Sequence, residues 1–130
     1  MRLSIAIIAF VFSFVIPSYA ETQSVTVRSG SSKTVSSFFV YNRVSCNATP
    51  FPKWSIKQPK HGTLTVKKTR RTIPKGRKCA GRAHNLVVVV YKSKAGYRGS
   101  DTGKVVFRYP KYRGEAVFAY YDIRYKISVK

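Results

Sequence analysis

Hydrophobic and polar residues alternate along most of this chain, and the alternation marks out strands. The clearest case is the last segment. Val117, Ala119, Tyr121, Ile123, Tyr125, Ile127 and Val129 share one parity, with Asp122, Arg124, Lys126 and Ser128 on the other. Successive side chains of a strand point to opposite faces, so this period of two predicts a long half-buried strand; a helix would scramble it. The same pattern, more weakly, predicts strands at Ser24–Arg28, Thr34–Tyr41, Trp54–Lys57, Thr63 to about Thr69, and Lys104–Tyr109. Leu86–Tyr91 (LVVVVY) is a continuous apolar run whose branched residues predict a strand buried on both faces. Turn chemistry separates these segments: Gly30-Ser31-Ser32, Pro59-Lys60-His61-Gly62, and a loop with three glycines from Ala95 to Gly103. Asn42–Lys53 holds Pro50 and Pro52 and is expected to be irregular. About seven strands with no helical period predict an all-β fold, an antiparallel sandwich.

The N-terminus follows another rule. Met1-Arg2 is positive, Leu3–Ile16 carries no charge, Pro17 interrupts, and Ser18-Tyr19-Ala20 offers small residues where a signal peptidase cuts. Fourteen uncharged residues would span only about 21 Å as a helix, against a hydrocarbon core of about 30 Å. Residues 1–20 are therefore expected to be a secretory signal peptide and 21–130 a single domain, exported to the periplasm or the exterior. An exported chain with two cysteines, Cys46 and Cys79, is expected to join them as a disulfide. The alternatives are a metal ligand pair or a catalytic thiol, neither helped by CxxC or HxxxH spacing. The bond would close a loop of about 34 residues and contribute on the order of 3–4 kcal/mol.

Charge then changes the picture. The chain holds 25 Lys and Arg against four Asp and Glu, for a net +21. Arg2 would leave with the leader. The run KKTRRTIPKGRKCAGR at 67–82 concentrates eight cations, Lys67, Lys68, Arg70, Arg71, Lys75, Arg77, Lys78 and Arg82, and no acid. If the strand through Leu64 and Val66 continued, Lys68 and Arg70 would face the core, so the strand is expected to end or bulge there. The remainder should be an exposed loop tied down at Cys79. Solubility does not require so much charge, which makes the run a candidate polyanion grip, set against a plain solvated face.

Two stretches resemble a known family. Pro59-Lys60-His61-Gly62-Thr63-Leu64, and Tyr91 through Gly96, Tyr97 and Gly99 to Asp101, are similar to the turn and loop motifs of bacterial Ig-like, cadherin-like repeat domains of secreted and surface proteins. Ser93 stands where that family usually has Pro, and Phe107-Arg108-Tyr109 follows after four extra residues. The resemblance implies an Ig-like β-sandwich in single copy, with a binding or scaffolding role. Gly62 would permit the hairpin turn and Asp101 would accept backbone N–H groups to hold its loop. Some members of the family bind calcium, which needs several carboxylates at one site; four acids in the chain do not offer them.

Enzymatic chemistry finds little to work with. His61 lies inside the turn motif. His84 could act as base to Cys79 only if that thiol were free. Four acids nearly exclude a carboxylate pair, and no phosphate-binding glycine motif is present. Tyr97, Tyr109 and Tyr112, near Arg98, Arg108, Lys111 and Arg113, could stack bases, but strand tyrosines usually pack. The expectation is a non-enzymatic module without cofactor or metal. Its partner would be lipopolysaccharide, an acidic or sulfated glycan, or an anionic membrane surface, with nucleic acid less favoured. The rival expectations are a protein-interaction module, meaning an accessory subunit or an inhibitor of an acidic partner, and a structural envelope protein whose charge is incidental.

Overall fold

The computed structural model describes residues 19–110 and 118–130, and the expected leader lies almost wholly outside them. Among these residues seven strands form two sheets: β1 (Tyr19–Val27), β2 (Ser32–Val40), β3 (Lys53–Lys57), β4 (Gly62–Thr72), β5 (Ala83–Ser93), β6 (Gly99–Pro110) and β7 (Phe118–Val129). One sheet has the order β1-β7-β6-β3 and the other β2-β5-β4. Every pairing is antiparallel except β1 on β7, which is parallel. The fold is an Ig-like sandwich. Cleavage after Ala20 would leave Glu21–Val27 of the first strand on β7.

Alternation decides what lies between the sheets. From β5 come Val87, Val89 and Tyr91; from β6, Val105 and Phe107; from β7, Ile123, Tyr125, Ile127 and Val129; from β4, Leu64. All are buried. Burying one side chain of this size contributes about 1.5–3 kcal/mol, so this layer carries most of the fold. The outward residues of β5, Leu86, Val88 and Val90, are half-buried. The apolar run is thus fully buried on one face only, because among the described residues no layer packs on the outer face of β2-β5-β4.

Three further expectations are corrected. Strand β4 neither ends nor bulges at Lys68; its register with β5 runs unbroken to Thr72 opposite Ala83. It can do so because the core has ended by then, and the inward-parity Lys68 and Arg70 are exposed. Strand β6 starts at Gly99 rather than Lys104, since Gly99–Gly103 pair with β7. Gly62 is not in the left-handed region. It must be glycine because a Cβ there would lie 2.5 Å from the Tyr91 ring.

The buried Asp101 pins the turn that Gly62 closes. Its carboxylate accepts from Lys60 N (3.2 Å), His61 N (3.2 Å), Thr102 N (3.0 Å) and the Tyr91 hydroxyl (2.8 Å). Burial first, then the hydrogen bond to Asp101 and after it the Asp101 charge, hold the Tyr91 phenol well above the ordinary tyrosine range. Tyr125 reaches across the sandwich to Ser36 Oγ at 2.8 Å, and burial pushes it up to about 12.

Candidate functional site

Two loops meet at one end of the sandwich. The first follows β2. Asn42 folds it locally: its side-chain oxygen accepts from Val44 N (2.8 Å) and Ser45 N (3.1 Å), and its carbonyl accepts from Cys46 N (2.8 Å). The turn lifts Val44 into solvent at 87 % exposure. The second loop joins β4 to β5 and is anchored by Ile73, which is 1 % exposed. Ile73 N donates to Arg82 O (2.8 Å) and Gly81 N to Ile73 O (3.0 Å), closing the base of the loop.

Cys46 and Cys79 form a disulfide across these loops, with their Cα atoms 5.6 Å apart. Each sits in the left-handed region, at φ 58 and φ 66. That conformation costs an L-residue on the order of 1–2 kcal/mol, so the covalent bond maintains turns the chain alone disfavours. Two hydrogen bonds reinforce the staple: the Tyr41 hydroxyl donates to Lys78 O at 3.0 Å, and Arg82 Nη1 donates to Cys46 O at 3.4 Å. The disulfide does not join the two sheets. It fixes two loops into one rigid unit.

The eight cations of the 67–82 run are all exposed, but they do not make one patch. Lys67 and Arg71 have the outward parity of β4, opposite Val88 and His84 of β5. Lys68 turns the other way, its Nζ 4.9 Å from the Phe51 ring centre and 5.3 Å from that of Trp54. A cation over a ring face is held electrostatically. Arg70 Nη2 donates to Ala83 O at 3.0 Å. Lys75, Arg77, Lys78 and Arg82 ride on the stapled loop. The charges therefore wrap the free edge of β4 and continue onto the loop. Lysine and arginine on an edge strand also discourage edge-to-edge pairing, which is a structural use for the β4 subset.

The structure adds residues that the run does not contain. Arg43 and Val44 join the site through the first loop. A groove of about 360 Å³ lies between the loops and β2, lined by Ser37, Phe39, Tyr41, Arg43, Arg77 and Lys78. Tyr41 stacks on His84, ring centres 4.9 Å apart and planes at 12°. His84 is 5 % exposed, and neither ring nitrogen has a hydrogen-bond partner among the described residues. Only the presence of Cys46 in the first loop hinted at this neighbourhood in the sequence.

Glu115 lies outside the described residues, and the other three acids are engaged elsewhere. Glu21 accepts from the Tyr121 hydroxyl and from Gln23 Nε2, Asp101 is buried, and Asp122 lies 4.0 Å from Lys104. Among the described residues that last contact is the sole ion pair, so none of the eight cations is neutralised by one. The Cys79–His84 nucleophile is ruled out, because Cys79 is oxidised. His61 stacks on Tyr97 at 3.9 Å, which makes it a turn residue and occupies that tyrosine's ring. Burial pushes Tyr109 up to about 12. Lys111, Tyr112 and Arg113 lie outside the described residues. Among the described residues no three His, Cys, Asp or Glu side chains gather as metal ligands.

No family model matches the chain, and no curated protein is similar to it. Among solved structures, the solution structure of Amebosin is 14% identical over 88% of this chain and 99% of its own, with a TM-score of 0.46. The crystal structure of the cysteine protease inhibitor EhICP2 from Entamoeba histolytica is 12% identical over 86% of this chain and 95% of its own, with a TM-score of 0.44. Both scores fall below one half, and neither likeness bears on the site.

Proposed function

We propose that this is an exported, non-enzymatic binding module whose stapled loop end grips an anionic ligand. The candidates share one chemistry: the phosphates of lipopolysaccharide, the charges of an acidic or sulfated glycan, or an anionic membrane surface. One observation carries the reading. The Cys46–Cys79 bond holds Arg43, Arg77, Lys78 and Arg82 on one rigid unit, and no acid among the described residues faces them. A surface prepared in this way loses little side-chain and loop entropy when an anion arrives. The disulfide also supports export, since such bonds persist in oxidising compartments.

Reversing four loop charges (Lys75→Glu, Arg77→Glu, Lys78→Glu and Arg82→Glu) tests the reading. The variant should fold, because all four side chains are exposed. It should elute from immobilised lipopolysaccharide and heparin at markedly lower salt than the wild type. Elution of a folded variant together with the wild type overturns the proposal.

A second reading rests on Val44. A valine at 87 % exposure on a covalently braced tip is an unusual thing to leave in water, and it suits a protein partner. That reading expects a saturable one-to-one complex that survives about 0.5 M salt, where screening falls to a few ångströms, and that is lost in Val44→Ser.

A further inference from the structure

The opposite face of the molecule carries a second concentration of charge. In β6, Thr102 and Lys104 have the parity opposite to the buried Asp101, Val105 and Phe107, so they lie on the outer face of the four-stranded sheet. Register then places Lys57 of β3 beside Lys104, and Lys104 beside Arg124 of β7. Three cations thus form one row across three neighbouring strands, spaced by the strand separation of about 4.8 Å. Like charges directly opposite on a sheet destabilise it. Asp122 relieves Lys104 only from 4.0 Å, and neither Lys57 nor Arg124 has an ion pair among the described residues.

This row borders a groove of about 460 Å³ with Lys126 and Thr22. Gly103 and Tyr125 line it too. The groove shares Thr102 and Lys126 with a neighbouring hollow of about 400 Å³, walled by Ser24, Thr26, Ser100 and Ser128 together with Val25, Ile127 and the buried Asp101. A cationic row therefore runs into a ledge of hydroxyl groups. Apart from Tyr125, which is 1 % exposed, no aromatic ring among the described residues lines either hollow.

The geometry points to a second binding site here, for a segment of acidic polysaccharide. Charge complementarity sets the ligand's sign. The hydroxyl ledge suits a chain that is itself rich in hydroxyls, and lysine ammonium groups on flexible stems suit sulfate or carboxylate charges at irregular spacing. Single-stranded nucleic acid fits less well, because it is held largely by bases stacking on exposed rings. This site stands independently of the stapled loops, which lie on other elements.

The test is a titration of the full mature domain with a heparin oligosaccharide, beside a single-stranded DNA of equal charge. Three proteins are compared: wild type, the sheet variant Lys57→Gln/Arg124→Gln/Lys126→Gln, and the four-fold loop reversal. The wild type should bind two oligosaccharides. The sheet variant should keep one, and its salt slope should be shallower by about three, one per lost cation. Its melting temperature should not fall, because a repulsive row has been neutralised. If the sheet variant titrates like wild type, the second site does not exist, whatever the loop variant does. If the loop variant alone is unaffected, the loop reading fails and the sheet site stands. If DNA binds the sheet as tightly as the oligosaccharide, the polysaccharide assignment is overturned.

Discussion

Single side chains set the most specific constraints in this domain. Asp101 serves three backbone donors and a phenol at once. Asp101→Ala would leave buried donors without a partner, each costing about 1–3 kcal/mol. Chemical denaturation should show a loss of at least about 3 kcal/mol; a loss under about 1 kcal/mol would mean water replaces the carboxylate. The tyrosines give a pH signature. Burial raises Tyr125 to about 12, while an unfolded tyrosine titrates near 10. A raised folded value means the contribution is complete below about pH 10 and is lost as pH climbs towards about 12. Lysine deprotonation acts in the same range, so the informative quantity is the difference between wild type and Tyr125→Phe. The wild type should lose stability more steeply over that window; parallel curves would contradict the assignment.

At the scale of elements, most of the strands were legible because alternation is imposed by the buried layer. Ile123, Tyr125, Ile127 and Val129 face the core as their parity requires. The pattern failed where packing, not local sequence, decides. Lys68 looked like a core violation, yet the strand outlasts its core and the ammonium settles over Phe51 and Trp54. Gly103 sits among loop-forming residues but is strand, since glycine makes room for Leu64, whose side chain would lie 2.6 Å from any Cβ there. The basic run was visible as composition; its division between a strand edge and a stapled loop was not, and neither was Arg43, which only the folded disulfide brings in. Likewise the row Lys57, Lys104 and Arg124 is scattered in sequence and assembled by register alone. The disulfide is the element-scale test. Cys46→Ser/Cys79→Ser should cost about 3–4 kcal/mol by the chain-entropy model. It should also weaken anion binding with every charge still present, because the loops must be ordered afresh on contact. Unchanged affinity would mean that fixing the loops is irrelevant to the grip.

For the whole molecule, a net charge of +21 on 130 residues raises one overriding question, whether the charge is a site or a coating. A coating responds to how many cations remain. A site responds to which ones. Two folded variants of equal net charge separate these cases: the four-fold loop reversal, and Lys33→Glu/Lys60→Glu/Lys92→Glu/Lys94→Glu, which changes four exposed lysines at the other end of the sandwich. Both should be eluted by a salt gradient from immobilised lipopolysaccharide, heparin and duplex DNA. The account predicts that the loop variant is released early while the control stays near wild type, with one anion preferred over the other two. Release of both variants together from all three surfaces would contradict it, and would reduce the stapled loops to ordinary cationic surface.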